Sequence, residues 1–201
     1  MTEPLSVIII VKNEERDIQA CLESVRWADE IVVVDDHSTD QTVSICRQYT
    51  QKIFTRSWDG YGPQKRHALE QAQGPWILNI DADERLTPAL TQEIQELLRH
   101  SPGANGYHVP FMVFFLGKRL RFGGCGSESH LRLFRKTMAH YGVQKIHEGI
   151  RVQPPLGRLK GSMIHQSYHN LEEYYEKMNC YTSLDAQKKG GPGAVAQAEA
   201  G

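Results

Sequence analysis

The sequence has no basic surplus: 23 Lys and Arg stand against 24 Asp and Glu, for a net charge of -1. Nucleic-acid binding needs a clear excess of positive charge, so nucleic-acid partners are excluded. Cysteine is scarce and scattered, at Cys21, Cys46, Cys125 and Cys180, with no C-x-x-C pair. That pattern suits neither a zinc knuckle nor a disulfide scaffold and leaves reduced thiols as the expectation. Long apolar runs are missing too: Val109 to Leu116 falls far short of the roughly 18 residues of a membrane span. Leu5 to Val11 is also short and follows Glu3 and Pro4 instead of a basic segment, which is not how a secretory signal reads. These absences lead us to expect a cytoplasmic protein, and they leave peripheral contact with the inner membrane open. No internal repeat is visible. What remains is 201 residues, 40% of them hydrophobic, enough for one sizeable globular domain.

The first half alternates strands and helices. Ser6 to Val11 is a continuous β-branched run, as expected of a strand buried on both faces of a parallel sheet. Asn13 is placed to cap a helix whose apolar residues Ile18, Cys21, Leu22 and Val25 recur at helical spacing. A second buried run, Ile31 to Val34, precedes a helix expected to turn Val43, Cys46 and Tyr49 inward, and Phe54 marks a short third strand. Gly60-Tyr61-Gly62-Pro63 reads as a turn before a helix through Ala68, Leu69 and Ala72. The next buried strand is Trp76 to Ile80, followed by a helix with Thr87 as N-cap, Pro88 at its first position and a stripe of Leu90, Ile94, Leu97 and Leu98. About four such units predict a doubly wound, mostly parallel α/β sheet with right-handed crossovers.

Residues 1–104 form this half. From 105 to 189 the pattern changes to short strand-like runs with many glycines, so a mixed β/α extension is expected, closed by a helix that Asn170 and Glu173 would cap. Residues 190–201 are small, polar and Gly/Ala-rich, which reads as a flexible tail.

Ligands of open α/β sheets sit outside the carboxyl ends of the strands. Three polar clusters fall there: Lys12-Asn13-Glu14, Asp35-Asp36, and Asp81-Ala82-Asp83. Four carboxylates at one edge repel one another unless cations or hydrogen-bond donors compensate them. A nucleotide carrying a divalent metal would supply both. Asp81-x-Asp83 suits Mg²⁺ or Mn²⁺, since Mg²⁺ binds one or two carboxylates plus substrate phosphates and waters. Alone, such a pair is more often a solvated loop; its place after a buried strand gives it weight.

The segments Val7 to Glu14, Val33 to Asp40 and Leu78 to Glu84 resemble the signatures of family 2 inverting glycosyltransferases. Gly62-Pro63-Gln64-Lys65, Leu131 to Arg135 and Ile146-His147-Glu148 are similar to segments of the bacterial subgroup that includes lipopolysaccharide-core β-glucosyltransferases. The resemblance covers about residues 5–180. It implies a GT-A fold, with Asp35 and Asp36 at the uracil end of a UDP-sugar and Asp81 and Asp83 on the metal. The implied nucleotide-binding set is Val11, Asn13, Glu14, Asp35, Asp36, Gln64, Lys65, Asp81 and Ala82. His37 stands where glycine is usual and Arg66 where asparagine is common. The chain also ends earlier than many relatives, which leads us to expect that a C-terminal membrane-associating segment is missing.

An inverting transfer is one displacement at the anomeric carbon. It needs a base for the acceptor hydroxyl's proton, worth roughly 10²–10⁴-fold in rate. It also needs positive charge on the departing diphosphate. Base and metal must flank the sugar, which places the base in the second half of the chain: Glu148, matching the family's His-Glu pair, with Glu128 in reserve. A zinc-protease H-E-x-x-H is excluded because Arg151 occupies the second histidine's place. Gln64 and Lys65 near a helix start could face phosphate. Of His165 and His169, the first is the candidate additional metal ligand, a plain loop histidine being the alternative. Arg132 and Arg135 read equally well as ligand contacts or as salt-bridge partners. Two other functions share these features: a sugar-nucleotide nucleotidyltransferase, which would normally carry a Gly-rich basic loop where Lys12-Asn13-Glu14-Glu15 stands, and a non-catalytic nucleotide-binding partner of a membrane glycan synthase. The expected acceptor, a glycan or lipid-linked hydroxyl, rests on the resemblance alone, and the oligomeric state is open.

Overall fold

The computed structural model describes residues 2–120, 128–141, 150–168, 170–172, 174–175, 178–179 and 182. Strand β1 (Leu5–Val11), helix α1 (Ile18–Val25), β2 (Glu30–Asp35), α2 (Thr42–Cys46), β3 (Ile53–Thr55), α3 (Tyr61–Gln71) and β4 (Trp76–Asn79) follow in that order. They form a parallel sheet ordered β3-β2-β1-β4. Strand order therefore reverses at β1, which lies between β2 and β4, the switch point at which such sheets open a crevice. Successive side chains of a strand face opposite ways, and both faces here are covered. Val7, Ile9, Val11, Val33 and Leu78 join α1 and α4 residues in one core, while Ile8, Val32, Val34 and Ile77 join Ala68 and Leu69 of α3 and the following Ala72 in the other. Val7, Ile8 and Ile9 are at most 1% exposed, and each buried side chain of this size contributes on the order of 1.5–3 kcal/mol.

The second half extends the same sheet. It comprises β5 (Glu84–Leu86), α4 (Pro88–Arg99), β6 (Gly106–Phe115), β7 (Lys118–Arg119), β8 (Ser129–Arg135), a 3₁₀ turn (Lys136–Met138), β9 (Ala139–Tyr141), β10 (Ile150–Val152), β11 (Leu156–Arg158) and β12 (Met163–Tyr168). Strand β8 runs antiparallel to both β4 and β6, and the order continues β4-β8-β6-β12-β5. The pair β9 and β10 forms a separate antiparallel ribbon. The Gly161 turn lies tight on α4, where an added Cβ would meet the Leu90 Cα at 2.5 Å and its N at 2.7 Å.

Thr87 caps α4 as expected, accepting from the Leu90 amide at 3.3 Å, with Pro88 at the start of the helix. Other local expectations change. Asn13 is not an N-cap: α1 starts at Ile18, and Asn13 instead adopts φ 54° with its Oδ1 accepting from the Thr39 amide at 2.9 Å. An Asn side chain satisfies loop amides as readily as helix ones, and it tolerates the left-handed region. The Tyr61-Gly62-Pro63 segment is already helical, because Gly60 takes the φ of 123° that turns the chain into α3. In α2 the buried residues are Thr42 and Cys46, with Val43 only half-buried. Near the end of the described residues Leu171, Tyr175 and Met178 are exposed, while the Tyr174 ring meets Phe115 edge-on.

Candidate active site

The strand register brings the predicted acidic clusters to one edge. Val11 is paired with Asp35 and Ile8 with Asn79, while the Asp36 amide donates to the Val11 carbonyl at 2.9 Å. Asp35 and Asp36 thus lie on one side of β1 and Asp81 on the other. The two loops are laced together on the β2 side. Ser38 Oγ accepts from the Asn13 amide, Thr42 Oγ1 from the Glu14 amide and Glu15 from the Gln41 amide, all within 2.9 Å. Asp35 is buried, and both its oxygens accept from the Ser38 amide at 3.2 Å. Asp36 accepts from Lys12 Nζ at 2.6 Å and from the Trp58 amide at 3.0 Å. Buried Gln64 is committed to Arg56: its Nε2 donates to the Arg56 carbonyl at 2.9 Å and its Oε1 accepts from the guanidinium at 2.7 Å. Gln64 therefore braces the start of α3 and is not spare for a ligand.

On the β4 side the carboxylates are compensated by protein cations. Asp81 accepts from Lys65 Nζ at 2.8 Å and from Arg132 Nη2 at 2.9 Å. Burial opposes its ionisation, yet the charges of Lys65 and Arg132 hold its carboxyl well below the usual carboxylate range. Arg132 also donates to buried Glu84, whose other oxygen accepts from the Asp81 amide at 2.8 Å. Burial, together with the charges of Asp81 and Asp83, pushes the Glu84 carboxyl up to about 7, although Arg132 pulls it down. Glu84, the residue closing this turn, was not singled out from the sequence; the signal was a glutamate three residues after Asp81 in Asp81-Ala82-Asp83-Glu84. Ala82 is buried.

Asp81 and Asp83 thus take different partners. Asp83 lies 3.3 Å from His165 of β12, and among the described residues no three His, Cys, Asp or Glu side chains gather around one point. Burial works against charging His165, but Asp83 beside it, with Glu84 and Asp81, raises its pKa. The Asp83–His165 pair fits a divalent cation. Neighbouring ligands of an octahedral ion, each at about 2.1 Å, stand about 3 Å apart, close to the separation seen. Phosphates and water would have to complete the shell.

Beside Asp81 lies a cavity of about 250 Å³ lined by Lys65, Asn79, His130, Arg132, Tyr141 and Ile150. Glu128 is exposed and pairs at 3.0 Å with His130, which lines this cavity. Glu148, the expected base, lies outside the described residues, as do His147, His169, Cys125 and Cys180. The two described cysteines are buried and form no disulfide; burial raises the Cys21 thiol well above its ordinary value and pushes that of Cys46 up to about 12. A second cavity, of about 650 Å³, opens at the amino end of the strands, and its Glu30 is spent on Ser6, Lys52 and the Gln73 amide.

The edge at the switch point, with Asp35 and Asp36 on one side of β1 and Lys65, Asp81 and Arg132 on the other, lies where doubly wound α/β proteins bind their ligands. The chain belongs to glycosyl transferase family 2, whose pattern residues 6–151 match. Over 193 residues it is 36% identical to the lipopolysaccharide core biosynthesis glycosyltransferase LpsC of Rhizobium meliloti, covering 92% of this chain and 72% of that protein. The fold is GT-A. The S. aureus TarS 1–349 structure in complex with UDP-GlcNAc has a TM-score of 0.62 at 18% identity, covering 85% of this chain and 60% of that one. Glucosyl-3-phosphoglycerate synthase from Mycobacterium tuberculosis, in complex with Mg²⁺ and UDP, has a TM-score of 0.54 at 16% identity, covering 86% and 74%. The chain thus spans 60% of the TarS chain, and among the described residues no helix is long and apolar enough to cross a membrane.

Proposed function

We propose that this chain is a metal-dependent inverting glycosyltransferase that moves a hexose from a UDP-sugar onto a hydroxyl of a glycan or lipid-linked acceptor, in cell-envelope polysaccharide synthesis at the cytoplasmic face of the inner membrane. The observation that carries this reading is the division of labour at the sheet edge. Asp81 is held by two protein cations, whereas the salt-bridge partner of Asp83 among the described residues is the His165 imidazole. That leaves Asp83 and His165 to hold Mg²⁺ or Mn²⁺, and Lys65 and Arg132 to face phosphate oxygens. When bound, the ion supplies Lewis-acid charge that stabilises the departing diphosphate. The solved TarS relative holds UDP-GlcNAc, and LpsC acts in lipopolysaccharide core synthesis; both agree with this donor and acceptor class.

The residues of the chain then do the following. Asp35, with lone pairs left beyond its two long bonds to Ser38, accepts from a base N–H or a ribose hydroxyl. Asp36 keeps Lys12 and the Trp58 loop in place. Lys65 turns between the Asp81 carboxylate and a phosphate, a short movement for a flexible ammonium. Glu148 takes the acceptor proton, with Glu128 as the alternative.

The test combines two variants with two readouts. Asp83→Ala should lose the Mn²⁺-dependent part of UDP binding in calorimetry, whereas Glu148→Gln should bind UDP as wild type does and lose transfer. Full transfer by Glu148→Gln would remove it as the base. UDP binding and transfer that persist in EDTA would refute the cation site, and pyrophosphate release in place of UDP would refute glycosyl transfer.

A further inference from the structure

Among the described residues, two buried polar atoms close to Asp81 have no hydrogen-bond partner: Arg132 Nε and the Tyr141 hydroxyl. Both residues line the same cavity of about 250 Å³, together with Lys65, Asp81 and Asn79. A buried donor without a partner is costly, so native proteins rarely keep one without a use. Tyr141 stands at the end of β9, and its ring packs with Ala68, Leu69, Ile77 and Phe134, which fixes it against α3 and the sheet. Burial raises the pKa of its phenol, against the pull of Arg132 and with the push of Asp81, so it stays protonated as a neutral donor and acceptor. Arg132 has already given Nη2 to Asp81 and Glu84, leaving Nε as a second fixed donor. A cavity of about 150 Å³ holds a benzene ring; this larger, polar-lined one can take a six-membered ring bearing hydroxyls.

We infer that the Tyr141 hydroxyl, with Arg132 Nε beside it, is the contact that reads the hydroxyls of the transferred sugar and so sets donor-sugar selectivity. This rests on the UDP-sugar reading above. The pyrophosphate end lies at Lys65 and Arg132, and the sugar beyond it enters the cavity that both unspent donors line. Tyr141 thereby discriminates among donors by hydrogen bonding. Such a site rejects a sugar that leaves its polar groups unpaired more strongly than a purely apolar pocket would.

The test is Tyr141→Phe in the full chain, which removes one oxygen and keeps the ring packed. Binding is measured for UDP, UDP-glucose, UDP-galactose and UDP-GlcNAc with Mn²⁺ present, alongside Tm. The expected result is a rise of about 3–10-fold in Kd for the best-bound UDP-sugar, as for one lost neutral hydrogen bond. The Kd for UDP should move by less than about twofold, with no fall in Tm, since a buried hydroxyl without a partner has been removed. Unchanged affinity for that UDP-sugar would overturn the inference while leaving the donor reading intact. Equal weakening of UDP and UDP-sugar would also overturn it, because the hydroxyl would then support the fold and not the sugar. A wild-type chain that binds none of the four nucleotides would refute the donor reading and, with it, this inference.

Discussion

Arg132 is the cation between two carboxylates, and its removal is the sharpest test of how the site is held together. Its Nη2 donates to Asp81 and to Glu84, and its side chain is 10% exposed against 2% for Glu84. In Arg132→Met a thioether of similar length fills the space, Asp81 retains Lys65, and Glu84 retains only the Asp81 amide. Taking one partner from a buried ion pair costs about 3–5 kcal/mol. At roughly 2–4 °C per kcal/mol for a chain of this size, Tm should fall by about 6–20 °C. The pH dependence gives a second handle. Burial, then the charges of Asp81 and Asp83, has already raised Glu84 from 4.5 to about 7 against the pull of Arg132, and losing that pull raises it further. A carboxyl with a higher folded than unfolded pKa binds more protons when folded. Stability is therefore lost as pH rises from the unfolded value through the folded one. The deficit of the variant should be largest near about pH 8 and shrink towards about pH 5.5. Urea denaturation of both proteins at the two pH values measures it. A deficit below about 1 kcal/mol, as for an exposed pair, or one equal at both pH values, would refute the buried-triad account.

Lys65→Met should be milder for the fold than Arg132→Met, because Asp81 keeps Arg132. It should weaken UDP binding by about 10–100-fold, the worth of a charge-assisted hydrogen bond, and calorimetry with UDP and Mn²⁺ would show it. Gly161→Ala forces a Cβ to within 2.5 Å of the Leu90 backbone, which has no flexible end to yield. A loss of about 1–3 kcal/mol is expected from such overpacking, read as a lower urea midpoint with an unchanged m-value.

The parallel half was legible because its signals are local. Continuous β-branched runs such as Val7 to Val11 have to be buried on two faces, and helical spacing names the residues that cover them. Thr87-Pro88 announces its cap without help from the rest of the chain. The placement of Asp35, Asp36 and Asp81 on one edge followed from that alternation and from the rule for the carboxyl ends of strands. Local spacing misled where a side chain had a choice of partners. Asn13 went to the Thr39 amide instead of a helix end, and Gln64, expected at the nucleotide, went to Arg56. Asp81 and Asp83 were read as one cation cradle, yet they turn to different partners.

What the sequence determined by itself, then, is a doubly wound sheet, an acidic edge at its switch point, and a family signature covering most of the chain. Tertiary structure alone decided how those acids are compensated. Arg132 lies 51 residues from Asp81 along the chain and reaches it because β8 pairs antiparallel with β4. His165 reaches Asp83 because β12 lies along β5, with His165 opposite Glu84. Tyr141 meets the same cavity from a separate ribbon. Residue spacing carries no record of such pairings, since they depend on which strands become neighbours. The charges of the site are therefore set by sheet order, a property of the whole chain.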